Sequence, residues 1–144
     1  MGPPRVVVFE AGGERFALPL EAVREVVVPK PPFARVPRTG AAVRGAMNLR
    51  GRILALVELA PLVGLAKDAL APSQGHVLVF AHDRRGLGLL VAAVLGVVEA
   101  PPLPPCEEGG LSRGVADVAG AAVTMLDADA VEARAASLFG GGPP

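Results

Sequence analysis

The 144-residue sequence holds one cysteine, Cys106, only two histidines, and no tryptophan or tyrosine. A lone cysteine excludes an internal disulfide and any cysteine-based metal site. Two histidines without partner cysteines do not make a structural zinc site. An excess of one charge is also missing, since 14 basic and 14 acidic residues cancel. No basic block or arginine–aromatic interleaving occurs, so no nucleic-acid partner is expected. The longest apolar run, residues 87–98, is interrupted by Gly88 and Gly96 and is too short to span a bilayer. Near the start, Arg5 precedes only a short Val-Val-Val-Phe run before Glu10, which is no secretory signal. The expectation is a cytoplasmic protein with no direct membrane insertion.

What is present points to strands. Hydrophobic residues make up 51%, yet the aromatics are five phenylalanines, so the core must be built from Val, Leu and Ala. Branching at Cβ suits an extended backbone. The 18 glycines and 15 prolines cluster between apolar runs, which fits many short strands better than long helices. The length suits one domain with a real core, here residues 5–139, followed by a disordered tail at 140–144.

In chain order, strands are expected at residues 5–10 and 14–19, joined by a Gly12-Gly13 turn, which glycine's access to positive φ permits. A brief helical turn at 20–24 leads to a strand at 25–28, which Pro29, Pro31 and Pro32 end. The connection 29–39 is pinned by Phe33 and Val36. Two apolar runs, 43–49 and 53–59, flank Arg50-Gly51-Arg52 and predict a tight hairpin. One helical turn follows at 60–65. Beyond a polar link at 67–75, strands are expected at 76–81, 87–92 and 95–99, with a turn at 82–86. A last hairpin spans 113–126 and turns at Ala119-Gly120. Asp127 is a helix N-cap, and 130–138 is Ala-rich and helical. The strands fall in two groups split near residue 70, mostly antiparallel. Order alone does not separate two small barrels from one sandwich.

Chemistry is sparse. A hydrolytic site needs a nucleophile beside an oriented base. The candidates are Ser73, Ser112 and Cys106 in loops, Ser137 on the last helix, and His76 and His82 at a strand end and in a turn. Glu107-Glu108 reads as a solvated pair rather than an acid/base dyad. Gly86-Leu87-Gly88 lacks the lysine and following helix of a phosphate loop. No catalytic residue, cofactor site or metal site is expected. What remains is Arg50 at a hairpin apex, with Gly51 behind it as the structural turn residue and Asn48 and Arg52 beside it. By spacing alone Arg50 reads as a solvated turn arginine. Arginine in apolar surroundings can also anchor a partner, because its fork pairs with carboxylates while its stem covers apolar area.

The stretch Asn48-Leu49-Arg50-Gly51, then an apolar strand, Glu58 and the turn ending in Gly64-Leu65, resembles the chemotaxis coupling-protein (CheW-like) family. So do Val7-Val8-Phe9 through Pro19, Val23-Arg24-Glu25-Val26, residues 76–100 and Gly114-Val115-Ala116, so the resemblance covers nearly the whole chain. It implies a mainly β fold: two packed five-stranded SH3-like β-barrels with short helical turns and a C-terminal helix. The first barrel would come mainly from residues 14–66 and the second from 76–126, with strands exchanged at the ends. It implies a non-catalytic adaptor coupling chemoreceptor helical tips to the regulatory domain of a CheA-type histidine kinase. Receptor-binding residues carried over are Arg50, Asn48, Glu25, Val23 and Gly45, with Glu25 able to pair with Arg50. Ala55, Glu58, Ala60 and Ala92 depart from the family's usual residues, which leaves open a non-flagellar chemosensory scaffold. A small-ligand-binding β-barrel is the other alternative, and an enclosed apolar pocket would favour it. Zero net charge and surface valines predict weak or no self-association.

Overall fold

The computed structural model describes residues 3–37, 39–81, 86–102 and 110–139. His82, Cys106, the Glu107-Glu108 pair and the tail at 140–144 lie outside them. Ten strands run in chain order: β1 (Arg5–Ala11), β2 (Glu14–Pro19), β3 (Val23–Val27), β4 (Val43–Leu49), β5 (Arg52–Glu58), β6 (His76–Phe80), β7 (Leu87–Val91), β8 (Ala93–Glu99), β9 (Ser112–Val118) and β10 (Ala121–Leu126). Helix α1 (Leu59–Leu62) follows β5, and α2 (Ala128–Ala136) follows β10. Asp127 caps α2 as its sequence position predicts, its Oδ2 accepting from the Ala130 amide at 2.9 Å.

The strands form two five-stranded sheets, ordered β8-β1-β2-β10-β9 and β3-β6-β7-β5-β4. The grouping does not follow the split near residue 70. Strands β6 and β7 join β3, β4 and β5, while β1 and β2 join β8, β9 and β10. Hairpins are local and readable from sequence. The two parallel pairings that join hairpins, β2 with β10 and β5 with β7, are not.

Both sheets have the same pairing pattern along their order: antiparallel, antiparallel, parallel, antiparallel. The chain is therefore two copies of one unit, β1 to α1 and β6 to α2, each lending its first hairpin to the other's sheet. Adding 69 to a residue number maps β4–β5 onto β9–β10. Gly45 then meets Gly114, Asn48 meets Asp117, Gly51 meets Gly120 and Glu58 meets Asp127. The amides agree, with Glu58 donating to the Ala42 carbonyl at 2.7 Å and Asp127 to that of Leu111 at 2.8 Å.

This exchange explains why the central strands are apolar on both faces. In β1, Val7 and Phe9 enter a core shared with Leu78, Phe80 and Leu89 of the other sheet. Val6 and Val8, pointing the opposite way, pack with Val123 and Met125 inside their own sheet. The other sheet has its own interior too, with Met47, Leu56, Val77 and Leu90. A strand buried on both sides reads as a continuous apolar run. Each sheet thus curls around its own interior, and the shared core joins the two.

A candidate partner-binding site at the first hairpin tip

β4 and β5 pair antiparallel from Leu49↔Arg52 upward, leaving Arg50 and Gly51 as the turn. Both have positive φ, 50° and 87°, the signature of the type I′ hairpin turn that matches strand twist. Glycine adopts this freely, whereas arginine does so at a steric cost. The Asn48 Oδ1 accepts from the Gly51 amide at 2.7 Å and braces the turn.

The guanidinium of Arg50 meets the carboxylate of Glu25 in β3, Nη2 to Oε2 at 2.5 Å. β3 and β4 are the opposite edges of their sheet, so this ion pair ties the tip at one edge to the strand at the other. The Arg50 side chain stays 66% exposed and that of Glu25 28%, so the pair is oriented but open to an incoming group. The hydrogen bond from Arg50 holds the Glu25 carboxyl below the usual carboxylate range and outweighs its partial desolvation. Arg50 is raised, first by the same hydrogen bond and then by the charge of Glu25. Two apolar side chains on these strands are exposed: Ile53, opposite Asn48 in the register, and Val26, which follows Glu25 and so faces the other side of β3.

The other carried-over residues divide. Val23 begins β3 two residues before Glu25 and packs on the shared core. Asn48 is exposed, with its amide oxygen committed to the turn. Gly45 is buried within β4. A Cβ there would lie 2.8 Å from Cβ of Phe33 and 3.0 Å from the Ala34 oxygen, and its φ is 144°. It lets the 29–36 connection lie on the strand and offers no surface. Phe33 pins that connection as expected, packing on the interior of its sheet and lying under the Arg44 guanidinium, 5.9 Å from the ring centroid.

The four departures lie in the scaffold, away from the tip. Ala92 donates its amide to Glu10 at 2.8 Å, and Ala55 donates to Gly86 at 2.7 Å. Ala60 is buried beside the turn at Gly12, where a Cβ on the glycine would lie 3.3 Å from that of Ala60. Glu58 is 2% exposed, with Lys67 Nζ 2.9 Å from Oε2. The approach is ionic, off the line of a directed hydrogen bond. Sequence reasoning missed this contact. Lys67 and Asp68 pin the link between the two units, Asp68 accepting the Gly12 amide on both oxygens at 3.0 and 3.1 Å.

Among the described residues, no group of His, Cys, Asp and Glu could hold a metal ion, and no helix is long and apolar enough to cross a membrane. A cavity of about 600 Å³ lies between the α1 end, β2, β10 and α2. It is open to solvent and lined by Glu14 and Arg134 as well as Phe16 and Leu62, unlike an enclosed apolar ligand site.

The CheW-like domain profile matches residues 5–135. The chain is 30% identical over 141 residues to the chemotaxis protein CheW of Rhizobium meliloti, spanning 90% of this chain and 88% of that one. It is 33% identical over 105 residues to protein PilI of Pseudomonas aeruginosa, spanning 69% and 58%. The crystal structure of the scaffolding protein TtCheW from Thermoanaerobacter tengcongensis superposes with a TM-score of 0.72 at 23% identity, covering 88% of this chain and 86% of that one. That likeness establishes the shared β fold. With the profile spanning all ten strands, the chain belongs to the CheW-like domain family.

Proposed function

We propose that the chain is a non-catalytic adaptor of a cytoplasmic chemosensory array, joining a chemoreceptor's helical tip to the regulatory domain of a CheA-type histidine kinase. Family membership and the names of its relatives supply the setting. The observation that carries the receptor site is the exposed Arg50, held in one orientation by Glu25 across the two edges of its sheet. A preset, solvent-facing guanidinium on a hairpin that also exposes Ile53 suits a helix that offers a carboxylate beside apolar side chains. Glu25 and Val23 shape the β3 side of the site, while Asn48 and Gly51 hold the turn.

Binding of an isolated receptor-tip helical hairpin to the purified chain tests the proposal. Arg50→Glu should leave the melting temperature unchanged and weaken receptor binding about thirtyfold, as expected for a central anchor. Glu25→Arg should weaken it too, and the double reversal should recover part of the loss. Binding of the kinase regulatory domain should survive Arg50→Glu. A charge reversal that binds the receptor tip normally would overturn the assignment. Sedimentation of the chain alone should show a monomer or weak, reversible association.

A further inference from the structure

The chain passes between its two units once, from Leu62 at the end of α1 to His76 at the start of β6. Otherwise the units are joined by pairing and packing. β1 pairs with β8, β2 with β10, β3 with β6 and β5 with β7, and a shared core lies between the sheets. Neither sheet is complete without the other unit's hairpin.

The connection itself divides between the units. Lys67 reaches Glu58, Asp68 accepts the Gly12 amide, and the Leu70 carbonyl accepts from Arg44 Nη2 at 2.9 Å, all partners in the first unit. Gly75 lies against β7 of the second unit, where an added Cβ would stand 2.6 Å from the Val91 carbonyl oxygen. Between these anchors lie residues 71–74, all exposed. Two bonds of their own fold them into a turn: the Gln74 amide donates to the Ala71 carbonyl at 2.9 Å, and the Ala71 amide to Gln74 Oε1 at 2.8 Å. This turn returns the chain into its own fold. Extended, it spans about 13 Å. Each unit then meets the complementary unit of another copy through the same pairings and core, losing only the turn's bonds and the entropy of association.

We propose that a second copy of this chain is a partner by unit exchange. With the 71–74 turn open, β1 to α1 of one copy and β6 to α2 of the other build one complete fold, and the remaining two units build a second. The closed monomer prevails at low concentration, because closure within one chain needs no second molecule. Moving between the two forms requires separating the units, so each is kinetically trapped once folded. Glu25 and Arg50 both belong to the first unit, so each half of the dimer keeps a complete tip. On the receptor reading above the dimer is bivalent, but the exchange itself does not rest on that reading.

The test refolds the full chain from urea. Raising the protein concentration about tenfold should raise the dimer-to-monomer ratio about tenfold, by mass action. The isolated dimer should persist on dilution and return to monomer only after renewed unfolding. Refolding a mixture of isotope-labelled and unlabelled chains identifies the exchange by NMR. Contacts of Val7 with Val97 and of Val26 with Leu78 should run between copies, while those between β4 and β5 stay within one. Ala71→Pro, Ser73→Pro and Gln74→Pro together extend Pro72 into a proline run that removes both turn amides and stays extended. That protein should be dimeric where the parent is monomeric. A flexible Gly-Ser insert after Pro72 should instead lower the dimer fraction severalfold. A folded monomer of the triple variant would overturn the proposal. So would a dimer whose Val7–Val97 contacts stay within one copy, or a parent chain that refolds to monomer at every concentration. Should the triple variant fail to fold, refolding of the parent decides.

Discussion

The two hairpin tips share a backbone and differ in the charge they display. Arg50 and Gly51 have φ of 50° and 87°, and Ala119 and Gly120 have 52° and 84°. Each turn is braced by the side chain three residues before its glycine, Asn48 in the first and Asp117 in the second. Yet Arg50 corresponds to Ala119. Glu25, which pairs with Val79 just past a bulge, corresponds to Gly96, which pairs with Val8 just past another. The second unit builds the same turn with neither charge, so the fold does not require the ion pair. The arginine adopts a conformation that disfavours it at a tip where alanine also serves, which places its reason outside the turn.

The largest expected effect tests how far the equivalence of the units extends. Gly45→Val adds a Cβ against Phe33 and the Ala34 carbonyl at positive φ, combining strain with overpacking. It should cost about 3 kcal/mol or more in urea unfolding. Gly114→Val, at φ 112° on an exposed strand, carries the backbone strain alone and should cost about 1–2 kcal/mol. Equal losses would mean that the cover over β4 adds nothing.

Next in size is the link between the units. Glu58 and Asp127 both precede a helix, but only Asp127 bonds its own first turn. The longer Glu58 side chain goes to Lys67 instead. Lys67→Ala leaves a buried carboxylate without its cation and should cost about 2 kcal/mol, a figure discounted for the half-exposed lysine. Asp127→Ala removes a helix cap and should cost about 1 kcal/mol. Thermal unfolding of both variants would rank them, and the reverse order would make the link incidental.

The sequence was legible where contacts are local. Gly51 marks its turn, Asp127 its cap and Pro29 the end of β3, because each acts within a few residues. Sheet membership was not legible, since the parallel pairings join strands from different units and nothing near Phe16 names Thr124 as its partner. The repeat was in plain sight: Arg44-Gly45, Asn48 and Gly51 recur as Arg113-Gly114, Asp117 and Gly120. Aligning the chain with itself shows the two units, while the exchange of their hairpins rests on the long-range pairings. Of the site, the pairing of Arg50 with Glu25 came by family likeness. The burial of Gly45 and the positive φ of Arg50 depend on backbone geometry that composition does not carry.

A smaller effect asks whether the braces are interchangeable. Asn48→Ala and Asp117→Ala each remove one exposed side-chain-to-amide bond, at 2.7 and 3.1 Å. Each should cost about 0.5–1 kcal/mol in chemical unfolding. A much larger loss for Asn48 would show that the first tip leans on its brace to hold Arg50 against Glu25.

The smallest effect is a titration, and it isolates what the first tip has and the second lacks. The carboxyl of Glu25 lies below its ordinary range because Arg50 donates to it. A carboxylate depressed on folding contributes stability that is complete above its unfolded pKa and is lost as pH falls through the depressed value. Across that acidic window the Arg50 and Gly51 amides should shift together with the Glu25 side chain. In Arg50→Ala the Glu25 midpoint should rise toward the ordinary range. The second tip is read in Asp117→Asn, which gives it the same amide brace as the first. In that protein Ala119 and Gly120 should stay silent while Arg50 and Gly51 respond. If both tips respond alike, the change is global acid loosening and the pair does not orient the arginine. If neither responds and Glu25 titrates normally, the contact is too loose in solution to preset Arg50 for a partner.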